Sequence, residues 1–220
     1  MTELFVAADQ TDRHADLIAL ATQAGAPVAT APAAELARLS DTVTPQGLVA
    51  VCRDVDVPQE VALAGSPARV VLCDQIRDPG NLGAVIRCAD AFGADAVLIS
   101  RDSVELTNPK VVRASTGSLF HLPIAVEVDL RQALPAARAA GLQVLGADAR
   151  APLSVDRLAA AGGLAGPVLW VLGNEAWGLP AEHAAWCDRL VALPAYGRAE
   201  SLNVATAAAV LLYATATAQS

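Results

Sequence analysis

The chain has 220 residues, 54% hydrophobic and 17% charged, so it can bury a proper core and is not composed like a disordered segment. Acids outnumber bases by 23 to 15, a formal net charge of -8, which excludes a binder of nucleic acid acting through its overall field. No run of about 18 apolar residues occurs, so no membrane span is expected; residues 1–10 hold Glu3 and Asp9 but no Lys or Arg, unlike a secretory signal, and the cytoplasm is the expected compartment.

Residues 3–8 read as a strand. A helix follows over 14–24, with Leu17, Ile18 and Ala21 at helical spacing and Gly25 placed to stop it. Residues 28–31 read as a short strand, 32–39 as a helix with Leu36 and Leu39 on one side, and 47–52 as a further strand. This alternation predicts a small α/β sheet with few elements to close a core. Residues 56–68, with Pro58, Gly65 and Pro67 among acids, read as a linker. The division expected is therefore 1–55, a linker at 56–68, and a second domain over 69–220.

Beyond residue 68 the alternation resumes. Strands are predicted near 69–74, 95–100, 122–128, 142–147, 167–172 and 189–193. Helices are predicted near 79–92, 129–140 and 203–217, with weaker ones near 109–117, 155–160 and 180–186. Continuous apolar strand cores such as Val97-Leu-Ile99 and Val168-Leu-Trp-Val-Leu172 predict a mostly parallel sheet covered on both faces. The four cysteines (Cys52, Cys73, Cys88, Cys187) form no CxxC pair and each lies in an apolar stretch, so all are expected to be buried thiols. The histidines (His14, His121, His183) show no metal-ligand spacing, and no metal is expected.

Three segments can carry chemistry. In residues 74–87 a strand ends near Asp74, a polar turn follows, and Asp78-Pro79 reads as an N-cap and first helical position. Gly80 and Gly83 permit close approach, Asn81 sits in the first turn and Arg87 lies two turns in. The G-x-G-x-x-G of a dinucleotide turn is absent. In residues 171–180 a core strand runs into Gly173, Asn174, Glu175 and Gly178; in an α/β sheet ligands bind at the carboxyl ends of strands. In residues 193–212 a strand leads into a glycine-containing loop, and Ser201 or Asn203 caps a helix carrying Val204, Ala207, Ala208 and Leu211 on its inner face.

Asn81, Gly83 and Arg87, then Gly173-Asn-Glu-x-x-Gly178, then Pro194-x-x-Gly197 with Ser201-Leu-Asn-Val204 stand in order, each at a strand end. In this the chain resembles the SpoU (TrmH-like) family of RNA ribose methyltransferases of the SPOUT superfamily, over about residues 69–212. Residues 1–55 resemble the back half of the small α/β substrate-binding domain found before such enzymes, with Gln46-Gly47-Leu-Val-Ala matching its last strand and the front portion absent.

The resemblance implies a mostly parallel α/β sheet with a deep C-terminal trefoil knot, a homodimer, and S-adenosylmethionine as cofactor. The implied reaction is methylation of a ribose 2′-hydroxyl in ribosomal RNA or tRNA; the alternative is a non-catalytic RNA- or ribosome-binding protein that keeps the fold. Asn81, Arg87, Glu175, Ser201 and Asn203 match the family's catalytic positions, with Asn81 and Glu175 expected to orient Arg87 by hydrogen bonds. Leu172, Gly173, Asn174, Gly178, Leu193, Pro194, Ser201 and Leu202 match its cofactor-binding positions. RNA is expected to be gripped by Arg77, Arg87, Lys110 and Arg113, with Arg101 and Arg198 nearby. Lys110 is the only lysine in the chain.

Overall fold

A computed structural model describes residues 1–40 and 45–220. The chain divides into two compact units, Met1–Asp54 and Val55–Ser220. The first holds β1 (Glu3–Ala7), α1 (Ala15–Gln23), β2 (Val28–Ala31), α2 (Ala33–Leu39) and β3 (Leu48–Val51). Its sheet runs β2-β1-β3, with β1 parallel to β2 and antiparallel to β3. Leu4, Val6, Ala21 and Ala26 form a small core, with Ile18, Val28 and Leu48 against it. Leu17, expected on the same helical face as Ile18 and Ala21, is exposed instead, because three strands cover only a narrow stripe of α1.

The second unit contains α3 (Gln59–Ala62), β4 (Arg69–Cys73), α4 (Pro79–Ala91), β5 (Ala96–Ser100), α5 (Pro109–Ser115) and a 3-10 turn at Ser118–Phe120. There follow β6 (Ile124–Val128), α6 (Leu130–Ala139), β7 (Gln143–Ala147), β8 (Leu153–Ser154), α7 (Val155–Ala160), β9 (Val168–Leu172), α8 (Ala181–Ala185), β10 (Arg189–Ala192) and α9 (Val204–Ala218). The strands form one sheet in the order β6-β5-β4-β9-β7-β10-β8, and every pairing is parallel.

Alternation along the strands supplies both faces. Val71, Cys73, Trp170 and Leu172 pack with α4 and α9 residues on one side. Val70, Leu72, Leu169 and Val171 pack with α6 residues on the other. Trp170 is the largest fully buried side chain, and its indole Nε1 donates to Thr215 Oγ1 of α9 at 2.9 Å. That bond meets the polar demand of a buried indole. Because the strands are parallel, all their carboxyl ends open on one edge, and the loops after β4, β9 and β10 meet there.

Two expectations need correction. Residues 56–68 are not a free linker: Val57 N–H donates to Ile124 O at 2.8 Å, α3 forms, and Ala62 and Leu63 are buried against the second face of the sheet. Apolar side chains spaced between the prolines give this stretch something to bury. Cys52, just past β3, is exposed rather than buried, at the end of an edge strand whose last residue, Val51, is exposed too. Cys73 is fully buried, and Cys88 and Cys187 are half-buried. Burial pushes the Cys187 thiol up to about 12 and raises that of Cys73, so neither is a ready thiolate.

Candidate active site

The first motif forms as its residues demand. Asp78 is the N-cap of α4 and its Oδ1 accepts from Asn81 N–H at 2.9 Å, with Pro79 at the first position. This bond, helped by Lys110 with its Nζ 3.4 Å from Asp78 Oδ2, holds the Asp78 carboxyl below its ordinary value. Gly83 marks a close crossing of helices: a Cβ there would lie 2.6 Å from both Ala114 Cβ and Val111 O of α5.

The second motif is a tight loop closed by two backbone bonds, Asn174 N–H to Gly178 O at 3.0 Å and Gly178 N–H to Asn174 O at 2.9 Å. Gly178 adopts φ +71°. Gly173 admits no side chain, because its Cβ would stand 2.4 Å from Gly178 C. Asn174 is buried; its Nδ2 donates to Gln75 O at 2.7 Å and its Oδ1 accepts from Ala176 N–H at 2.8 Å. Asn174 therefore fixes this loop to the end of β4.

Fixing the loop in this way puts Glu175 over the N-terminus of α4. Its carboxylate accepts from Asn81 Nδ2 at 3.0 Å, from Asp78 N–H at 3.2 Å and from Arg77 N–H at 3.4 Å. A carboxylate suits that end of a helix, where N–H groups are otherwise unpaired and the dipole is positive. The third motif joins through Asn203, whose Nδ2 donates to Asn81 Oδ1 at 2.8 Å. Asn203 Oδ1 accepts from Ala205 N–H at 2.9 Å and Thr206 N–H at 3.3 Å. So Asn203, not Ser201, is the cap of α9. A continuous chain, Glu175–Asn81–Asn203, ties together three loops from far-apart sequence.

Arg87 stands outside this chain. Its side chain is exposed and makes no hydrogen bond or ion pair with the described residues. The expectation that Asn81 and Glu175 orient Arg87 is thus corrected: the two side chains spend their groups on each other, on backbone and on Asn203. Ser201 and Leu202 are exposed, Leu193 and Pro194 are half-buried, and Leu172 lies buried at the end of β9. From Pro194 to Leu202 the backbone bonds to none of the described residues, so its N–H and C=O groups are available to a ligand. A cofactor carrying both a purine and an amino-acid moiety suits such a lining, with glycine, apolar side chains and bare backbone polar groups.

Of the cations expected to hold RNA, Lys110 and Arg113 both lie exposed on α5, with Lys110 bonded to Asp78. The Arg77 guanidinium sits 5.2 Å from the ring centroid of Trp177, which is 48% exposed. Sequence reasoning passed over Trp177, and also the pair of Asp74 and His183, whose Nδ1 lies 2.6 Å from Asp74 Oδ2. Asp74 stands directly after the apolar β4, an unusual place for a charge. Nothing local linked it to a histidine 109 residues away.

Comparison with known proteins agrees with these loops. Residues 1–58 match the family model described as RNA 2′-O ribose methyltransferase substrate binding. A relative from Bacillus subtilis (strain 168), the 23S rRNA (guanosine(2553)-2′-O)-methyltransferase RlmP, is 36% identical over 175 residues, covering 80% of this chain and 66% of its own length. The 23S rRNA (guanosine-2′-O-)-methyltransferase RlmB of Nitrosomonas europaea is 31% identical, covering 97% of this chain and 82% of its own. The crystal structure of an AdoMet-bound rRNA methyltransferase from Sinorhizobium meliloti superposes with a TM-score of 0.83 at 29% identity, over 97% of this chain and 78% of that one. Residues 68–213, which hold all three motif loops, match the SpoU rRNA Methylase family, and the chain belongs to that family.

Proposed function

We propose that the protein transfers a methyl group from S-adenosylmethionine to a ribose 2′-hydroxyl of RNA. The observation that carries this reading is the Glu175–Asn81–Asn203 chain, which gathers the three motif loops at the carboxyl edge of the sheet, with the Arg87 guanidinium exposed further along the same helix and bonded to none of the described residues.

When bound, S-adenosylmethionine supplies an electrophilic methyl carbon on a sulfonium. The backbone and apolar side chains at Leu172, Gly173, Asn174, Gly178, Leu193, Pro194, Ser201 and Leu202 would hold it. A ribose hydroxyl is a weak nucleophile at neutral pH, so its proton must be managed. A guanidinium stays protonated in proteins and is a poor base. Arg87 therefore binds the phosphate beside the target ribose and stabilises negative charge on the attacking oxygen, and the hydroxyl proton is lost to solvent. Asn81, Glu175 and Asn203 are positioning residues: their bonds are satisfied within the protein, and they hold the loops in reacting geometry. Ser201 lies free on the exposed loop, where its hydroxyl faces incoming substrate. Arg77, Lys110 and Arg113 take neighbouring phosphates.

Ribosomal RNA is the substrate named for the Bacillus subtilis and Nitrosomonas europaea relatives, while other relatives carry tRNA/rRNA in their names, so tRNA is the other arm of the test. A cytoplasmic setting is supported by the RNA substrate. No described helix is long and apolar enough to cross a membrane. Threading of the C-terminal stretch into a trefoil knot is supported by its path: β10 lies beyond β7, yet residues 193–203 return past the 173–178 loop to bring Asn203 to Asn81. A homodimer is supported by the outer side of α9, where Val210 and Tyr213 are 42% and 60% exposed and Tyr213 packs edge-on against Phe92 of the α4 end. Light scattering on the purified chain should give about twice 22.5 kDa, and Tyr213→Glu should halve it; a wild-type monomer would sink the dimer.

Incubation of the full chain with labelled methyl donor and unmodified cellular RNA tests the reaction. Label should appear as 2′-O-methyl nucleoside, and Arg87→Ala should lower the rate by about 10²–10³-fold with donor binding retained. Failure to bind the donor would overturn the methyltransferase reading.

A further inference from the structure

At the same edge of the sheet, on the side away from α4 and α9, a cavity of about 190 Å³ opens over the carboxyl ends of β4, β5 and β6. It is too small for a drug-sized ligand and suits one ring system. The site lies beside β4, where the strand order reverses, the place ligands favour in a parallel sheet. Asp74 lines it, fully buried, with Oδ2 taken by His183 and Oδ1 accepting from none of the described residues. A buried carboxylate oxygen with no donor is costly. Gln75 and Asp102, also in the lining, have φ of +56° and +63°. Glu127, at φ +53°, makes a bulge in β6 that brings Val128 to the cavity.

The wall opposite is aromatic. Trp186 stacks with His183 at 4.8 Å, and the Arg131 guanidinium stands 5.3 Å from the Trp186 ring centroid. Arg131 also pairs with Glu182 at 2.7 Å, but both side chains are more than half exposed. An exposed pair of this kind contributes little stability, so a flat ring can replace the guanidinium over Trp186. Arg131, at the mouth, is then free to meet phosphate, beside Arg101, which pairs with Asp129 at 3.6 Å on the exposed rim.

We infer that this cavity takes a guanine base of the RNA, held by Asp74 and stacked on Trp186. The inference rests on the RNA-methyltransferase reading. The lining is rich in acceptors, with four carboxylates against two guanidiniums. Guanine alone of the four bases puts two adjacent donors, N1–H and the N2 amino group, on its pairing edge. Adenine and cytosine set a bare ring nitrogen beside the amino group, and uracil flanks its one N–H with carbonyls. Those lone pairs would face Asp74.

The test is a backbone-amide NMR titration of the full chain with 5′-GMP, AMP, CMP and UMP, with S-adenosylmethionine binding measured on the same samples. GMP should move the signals of residues 100–102, 130–131 and 183–186, with a dissociation constant about tenfold below the others. Asp74→Asn should weaken GMP about tenfold and leave binding of the methyl donor unchanged. No response at millimolar GMP, equal responses to the four nucleotides, or shifts confined to residues 173–178 and 193–204 would each overturn the proposal. Loss of donor binding with the GMP response intact supports the pocket and counts against the methyltransferase reading instead.

Discussion

Asp78 shows how much one side chain does in this site. It caps α4, presents Asn81 to Glu175 and anchors Lys110. Its carboxyl is held below the usual 3.8, first by the Asn81 N–H and then by Lys110. A depressed carboxylate adds stability that is complete above its unfolded value and is lost as pH falls through the folded one. Thermal unfolding from pH 6 down to pH 2 should therefore show a smaller fall in Tm for Asp78→Asn than for the parent, with the difference opening below about pH 4. Asp78 is largely exposed, so the effect is small; identical profiles would deny it the role. The three motif loops were legible because each sits at a strand end. Their partners were not: nothing in local sequence tells that Asn81 spends its amide on Glu175 and Asn203 rather than on Arg87, since the choice depends on three loops meeting in space.

At the scale of elements, the second unit was read well because its strands are buried on both faces, and buried parallel strands are continuous apolar runs. Val168–Leu172 has no other plausible use. The elements that were missed are short. β8 is two residues long and α3 four, and neither has enough length to show a period. The helix α9 presented a different difficulty: it is apolar nearly all round, so the expected inner face of Val204, Ala207, Ala208 and Leu211 was only half right, and the structure buries Ala205, Ala208, Leu211, Leu212 and Thr215. What fixes its orientation is polar: Thr215 Oγ1 accepts from Trp170 and donates to Leu211 O at 2.9 Å, all in the buried core. Thr215→Val keeps the volume but leaves the indole N–H unpaired, and should destabilise the protein by about 1–3 kcal/mol in urea unfolding. Adding Trp170→Phe to that variant should cost less than Trp170→Phe alone, because there it also removes the orphaned donor.

At the scale of the whole molecule, RNA must be held against a net charge of -8. Only a local group of cations can do so, and the dependence of binding on salt should report how many. With Arg77, Arg87, Lys110 and Arg113 each on a phosphate, log K against log salt should slope at about -3 for a single-stranded target; a slope near zero would remove phosphate contact from the account. The order of strands has a consequence of another kind. β4, the first strand of its sheet to be made, lies between β5 and β9, and its register with β9 joins Cys73 to Leu172. During synthesis its second edge has to wait for nearly a hundred further residues. Contacts so distant along the chain are slow to form, and an apolar strand with an open edge is a place where nascent chains stick to one another. The arrangement that gathers three loops into one site thus makes the protein depend, while it is being born, on whatever shields β4 until β9 emerges.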